Sequence, residues 1–204
     1  MRLRLATFIG GIGSALVLAL AGPSSSRAAD DRFDVGGRVQ ANPVVPRDSY
    51  AAILFLGGDW RVASRVCEQY KSQYEDSLRD PSHPYKKLVY FPKKRVYASA
   101  SLNCNRWNDS FDQNNISIYD GDLGLIERGD GPYLVIIYRD RQDHYHNKGY
   151  VIFADANETQ IRRKFTLFNS YYHNCRTDEW EDDRIIDDTS WLSRLTGIFG
   201  SRCG

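Results

Sequence analysis

Apolar and polar positions follow two regimes along this chain, one repeating near every fourth residue and one repeating every second. The first begins after a short apolar run, Tyr50 to Leu56, which reads as a buried strand or a helical turn and is ended by Gly57-Gly58. Asp59 then stands where a helix N-cap would stand, because a carboxylate there accepts from the unpaired amides of the first turn. Behind it Val62, Val66, Tyr70, Tyr74 and Leu78 recur every four residues, with Ala63 and Cys67 beside them, which draws one apolar stripe along an amphipathic helix. The sequence Asp80-Pro81-Ser82-His83-Pro84 stops it, since proline lacks the amide donor and disfavours helix in the residue before it.

Beyond that point the period changes to two. Leu88–Phe91, Arg95–Ser99, Ile116–Tyr119, Tyr133–Tyr138 and Gly149–Ala154 are runs of β-branched and aromatic residues separated by turn formers. Thr159–Phe168 reads as the clearest strand, with Ile161, Phe165 and Leu167 on one face and Arg162, Lys164 and Thr166 on the other. The short turn Asp155–Glu158 before it favours antiparallel pairing. Trp191, Leu192, Leu195, Ile198 and Phe199 return to helical spacing after Asp188-Thr189-Ser190. The fold class expected is α+β: one long N-terminal helix packed on an antiparallel sheet, a short C-terminal helix, and disulfide stabilisation.

The two ends change the picture. Arg2 and Arg4 precede an apolar, small-residue run from Ala6 to Ala21, and small-x-small cleavage positions fall at Ala21 and Ala28, which is the outline of a secretory signal over residues 1–28. The run is shorter than the roughly 20 apolar residues a membrane span needs, and the mature chain has no other candidate span. Residues 29–48 are polar, with Gly36-Gly37 and two prolines, and read as a flexible leader. Residues 49–204 are then a single α+β domain, a size that buries one core.

Export makes the four cysteines meaningful. An even count outside the cytoplasm reads as disulfides, and nearness along the chain pairs Cys67 with Cys104 and Cys175 with Cys203. No Cys-x-x-Cys spacing occurs, so neither a zinc ribbon nor a redox pair is indicated.

Charge leaves one function class without support. Of 27 Lys and Arg residues, Arg2, Arg4 and Arg27 fall in the exported segment, leaving 24 against 26 acidic residues. A slightly acidic mature chain gives no support to general nucleic-acid binding, which draws on summed positive charge. The charges are nonetheless grouped: Lys86, Lys87, Lys93, Lys94, Arg95 and Arg106 make one segment basic, and Asp178, Glu179, Glu181, Asp182, Asp183, Asp187 and Asp188 make another acidic.

Candidate chemistry concentrates in Arg139–Gly149, RDRQDHYHNKG, which lies between two apolar runs and reads as a hairpin loop. His144 and His146 are two apart and would project to one side of a strand, so a metal site would need His173 or Asp143 to complete it. Alternatively one imidazole works as acid or base while Arg139 or Arg141 holds an anion. The stretch from Gly131 to Tyr138, running into Asp143-His144, resembles the strand-and-histidine elements of the small secreted microbial ribonucleases. That resemblance implies a base, an arginine and a histidine gathered on an antiparallel sheet; Leu88–Ser101 offers no counterpart to the general-base glutamate, so membership of the family does not follow.

No Gly-x-Ser-x-Gly elbow, His-Glu-x-x-His or phosphate-cradling loop occurs in the mature chain, and no cofactor is implied. Aromatic residues, with 13 Tyr, 9 Phe and 4 Trp, suit a recognition surface instead, and Tyr145, Tyr150, Tyr171 and Tyr172 lie where strand ends or loops would expose them. The reading is a secreted protein of effector or virulence type that binds an extracellular protein or glycan. The alternative is a small ribonuclease-like hydrolase using His144 or His146 with Arg139 or Arg141.

Overall fold

The computed structural model of the protein describes residues 35–41, 43–80, 87–95, 102–114, 119, 131–174 and 185–186. The signal segment, the helix at Trp191–Phe199, the Cys175–Cys203 pairing, the acidic segment, and all but the ends of the runs Arg95–Ser99 and Ile116–Tyr119 lie outside them.

Among the described residues five strands form one sheet: β1 (Val35–Gln40), β2 (Ser49–Phe55), β3 (Lys87–Pro92), β4 (Tyr133–Arg139) and β5 (Tyr145–Ile152), in the spatial order β1-β3-β2-β4-β5. The sheet is mixed and not antiparallel throughout, because β3 runs parallel to both β1 and β2 while β2/β4 and β4/β5 are antiparallel. The cause is the helical segment between β2 and β3, which carries the chain back along the sheet so that the next strand starts from the same end. Antiparallel pairing is thus found for β2/β4 and β4/β5, and of these only β4 and β5 are joined by a tight turn. The run Tyr50–Leu56 resolves as a strand, and Ala52, Ile53 and Leu54 are fully buried in it, as a central strand covered on both faces requires.

Helix α1 (Trp60–Gln73) begins where the sequence places it. The Asp59 carboxylate accepts from the amides of Arg61 at 2.8 Å and Val62 at 3.2 Å, and Val62, Ala63, Val66, Cys67 and Tyr70 make the buried stripe. The stripe does not run through one long helix: Tyr74, at φ −122° and ψ 19°, breaks it before α2 (Glu75–Arg79). Two strands also precede these helices, so the expected long N-terminal helix is not found among the described residues. Cys67 on α1 is bridged to Cys104, which opens a 3-10 turn (Cys104–Arg106) leading into α3 (Trp107–Ser110), with the Cα atoms 5.4 Å apart. Of the two expected bridges this one is present.

Two segments depart from the sequence reading. Val35–Gln40, inside the stretch read as a flexible leader, is a strand at the sheet edge. Its Gly36-Gly37 pair argues against a strand by propensity, yet Gly37 is needed for packing, because a Cβ there would lie 2.5 Å from the Tyr74 Cβ. The Gly37 amide donates to the Ser77 hydroxyl at 2.7 Å, joining strand to helix.

The second departure is Thr159–Phe168, which is not a strand but part of the helix α4 (Glu158–Asn174). Ile161, Phe165, Phe168 and Tyr172 are its buried side, at steps of four, three and four. Asn157 and Gln160 cap it reciprocally: the Asn157 side chain accepts from the Gln160 amide at 3.0 Å and the Gln160 side chain accepts from the Asn157 amide at 2.8 Å. Phe165 packs on Tyr74 and on Phe153, and the Tyr74 hydroxyl donates to Asn169 at 2.6 Å. Among the described residues no helix is long and apolar enough to cross a membrane.

Candidate binding surface at the β4–β5 hairpin

The turn between β4 and β5 is built around one carboxylate. Asp140 Oδ1 accepts from the backbone amides of Gln142 at 2.8 Å and His144 at 2.9 Å, an Asx arrangement that closes the loop. Its Oδ2 accepts from His146 Nε2 at 3.1 Å, with His144 Nδ1 at 3.5 Å. An ionised carboxylate only accepts, so His146 carries its proton on Nε2. These bonds hold the Asp140 carboxyl at about 2, the His146 contact being the largest cause.

Two more carboxylates tie the hairpin to the segment before β2. Asp143, at φ 75°, receives Arg47 Nε at 2.5 Å and Arg139 Nη2 at 2.9 Å. Asp48 receives the Tyr138 hydroxyl at 2.7 Å on one oxygen and Arg141 Nη2 at 2.9 Å on the other. Both carboxyls are lowered from their ordinary values, Asp48 chiefly by the Tyr138 hydroxyl and Asp143 chiefly by Arg47. The Tyr138 phenol is correspondingly raised by its bond to Asp48.

Strand register sorts the expected catalytic residues onto different sides. Tyr50, Tyr138 and His146 pair across β2, β4 and β5 in one row and therefore project from one face; Arg139 and Tyr145 are the next row and project from the other. Rings in the first row follow one another, with Tyr50 and Tyr138 centroids 4.7 Å apart and Tyr138 and His146 centroids 6.0 Å apart. The Lys148 ammonium stands over the Tyr138 ring at 5.7 Å. On the other face the Arg139 guanidinium lies over Tyr145 at 5.7 Å and donates to the Val45 carbonyl at 2.8 Å, while Tyr145 packs edge-on against Tyr119.

Arg139 is thus part of the framework, Arg141 is held by Asp48, and the two histidines share Asp140. The structure brings the histidines together but gives them a carboxylate in common. His173 ends α4, where its carbonyl accepts from Lys87, and among the described residues no group of three or more His, Cys, Asp or Glu is placed to hold a metal ion.

Of the four tyrosines expected at a recognition surface, Tyr150, Tyr171 and Tyr172 are core residues and only Tyr145 is partly exposed. Tyr171 and Tyr172 are buried because their segment is helical and turns that side inward. Sequence reasoning missed Tyr50, Tyr138 and Lys148 on the row and Arg47 and Asp48 beside it. Tyr138 was legible, since a tight hairpin sets it opposite His146; Arg47 and Asp48 reach the site only through the pairing of β2 with β4. Compared with protein-family models, curated proteins and solved structures, the chain matches none.

Proposed function

We propose that the protein is secreted and acts by binding an extracellular protein or glycan through the sheet face that carries Tyr50, Tyr138 and His146. One observation carries this reading: of the groups a hydrolase would aim at a substrate, Arg139 lies on the other face, Arg141 is engaged by Asp48 and both histidines face Asp140, whereas the aromatic groups on one face are aligned in a row. General acid–base work needs a base and an anion holder within hydrogen-bond reach of the same reacting atom. Arg139 lies on the face away from His146, and its guanidinium is engaged with Asp143 and Val45.

Export is supported by the basic-then-apolar amino terminus and by the Cys67–Cys104 bridge, which belongs to an oxidising compartment. The test uses the purified full chain against a single-stranded RNA, compared with the double variant His144→Ala/His146→Ala. Under the binding reading neither protein cleaves RNA. Cleavage by the unaltered chain that disappears in the double variant, with an unchanged melting temperature, would replace binding with hydrolysis.

A further inference from the structure

β5 stands last in the strand order, so one of its backbone edges faces away from β4. Backbone groups alternate in direction along an antiparallel pair. Phe153, just past the strand, donates its amide to the Pro132 carbonyl on the β4 side, and Tyr150 and Ile152 therefore turn their backbone groups outward. An edge of that kind is a template for a further strand. Here both outward carbonyls are engaged within the chain. Tyr150 O accepts from the Ile186 amide at 2.8 Å, beside a parallel bridge between Tyr150 and Ile185, and Ile152 O accepts from the Lys164 ammonium.

Both engagements have a built seat. β5 carries a bulge, with Ile136 opposite Gly149 and Ile137 opposite Asn147, and the Asn147 side chain accepts from the Gly149 amide at 3.0 Å. Gly149 sits at φ 148°, a conformation that favours glycine, and its missing side chain leaves a notch. A Cβ there would lie 3.2 Å from Ile186 Cδ1 and 3.3 Å from Tyr171 Cε1. Ile186 fills that notch and is 4% exposed, whereas Ile185 is 49% exposed, so the anchor of this short strap is Ile186. Lys164 and Tyr171 are seven positions apart on α4 and so lie on one side of it, the side that runs along β5.

The strand beneath is one that would pair with itself. Gly149-Tyr150-Val151-Ile152-Phe153 contains no charge and no proline and is rich in β-branched and aromatic residues, the composition of segments that associate edge to edge. Two copies of such an edge are complementary about a two-fold axis, because each offers the other the same outward groups. A lysine laid on the edge and a covering segment are the means by which sheet proteins close it.

We infer that Ile186 and Lys164 guard the β5 edge, and that with the guard removed a second copy of this chain adds there, β5 against β5 in antiparallel pairing. Neither residue enters the binding reading above, so each proposal can fail without the other.

The experiment measures the mass of the full chain and its variants by sedimentation over a concentration series, with near-ultraviolet circular dichroism to report folding. Ile186→Asp drives the strap out, because an unpaired carboxylate is costly in an apolar notch. Lys164→Ala uncovers the Ile152 carbonyl. The double variant is expected at twice the mass of the unaltered chain, and each single variant should self-associate about ten-fold more tightly than that chain, as the loss of one charged or anchored contact implies. Adding Ile152→Pro, which removes an outward amide and spares the β4 ladder, should return the double variant to the starting mass; where the proline prevents folding, Ile152→Lys takes its place. A folded double variant that keeps the mass of the unaltered chain overturns the inference. So does association that survives the change at Ile152, or association of the unaltered chain that this change abolishes. If Ile186→Asp prevents folding, Lys164→Ala decides alone, and a mass that does not rise with concentration overturns the inference.

Discussion

His146 Nε2 donates to Asp140 Oδ2 at 3.1 Å, and the other oxygen of the same carboxylate accepts the amides of Gln142 and His144. One aspartate thus fixes both the turn and the ring that the turn presents. Its carboxyl is held at about 2 against an ordinary 3.8. A carboxyl lowered in the folded state adds stability that is fully present above its unfolded value and is lost as the pH falls through the folded one.

Asp140→Asn is therefore expected to lower the thermal midpoint at neutral pH, and the difference from the unaltered chain should close as the pH falls from 3.8 toward 2. Melting curves of both proteins across that range decide it. A difference that persists unchanged at the acid end would show that the amide fails for a steric reason instead.

Gly37 lies where β1 touches the helical layer. A Cβ there meets the Tyr74 Cβ at 2.5 Å and its Cγ at 2.9 Å, whereas a Cβ at Gly57 meets nothing within 4 Å. Gly37→Ala should cost about 1–3 kcal/mol through overpacking, and Gly57→Ala should stay within about 0.5 kcal/mol. Urea unfolding midpoints of the two variants provide the comparison, and equal midpoints would mean that β1 does not pack against α1 and α2 as described.

The Cys67–Cys104 bridge closes a loop of 37 residues. A cross-link over that length removes about 4 kcal/mol of unfolded-state entropy. Cys67→Ala/Cys104→Ala should lower the unfolding free energy by a loss of that order, read from denaturant titration under non-reducing conditions. A loss of less than about 1 kcal/mol would place the two sulfurs apart in solution.

At the start of α4, Asn157 and Gln160 satisfy each other's amides. Asn157→Ala should cost about 1 kcal/mol, within the range for a lost N-cap. Asn157→Asp should recover most of it at neutral pH, because the carboxylate accepts the same bond and faces the positive end of the helix. Equal stability of the unaltered chain and the alanine variant would return Thr159–Phe168 to the strand reading.

How far the sequence carries can be seen in Ile161, Phe165 and Leu167. These three are separated by even steps and satisfy a strand, and the first two also satisfy a helix. Phe168 and Tyr172 decide between them, but only when the window is extended past the run that alternation suggests. The capping pair at Asn157 and Gln160 is a local signal that points the same way. In β1 the reverse holds: Gly36-Gly37 and the polar residues around it carry no strand pattern, because the edge position and the approach of Tyr74 select those residues.

For the candidate site, RDRQDHYHNKG is legible as a hairpin from its turn residues, and His144 and His146 as its notable side chains. That Asp140 unites them follows from loop geometry, and that Arg47 and Asp48 join the cluster follows from the β2/β4 register. Contacts across some 90 positions leave no trace in local periodicity.

Local interactions wrote themselves into the chain: the Asp59 cap, the four-residue stripe of α1, the buried run of β2 and the β4–β5 hairpin each depend on neighbours a few residues away. The parallel placement of β3, the recruitment of β1, and the sorting of Arg139 and His146 onto opposite faces were decided by the assembled sheet. Strand order and register are set by the burial of whole faces against distant segments, and a period of two says that a strand has faces without saying what each one will meet.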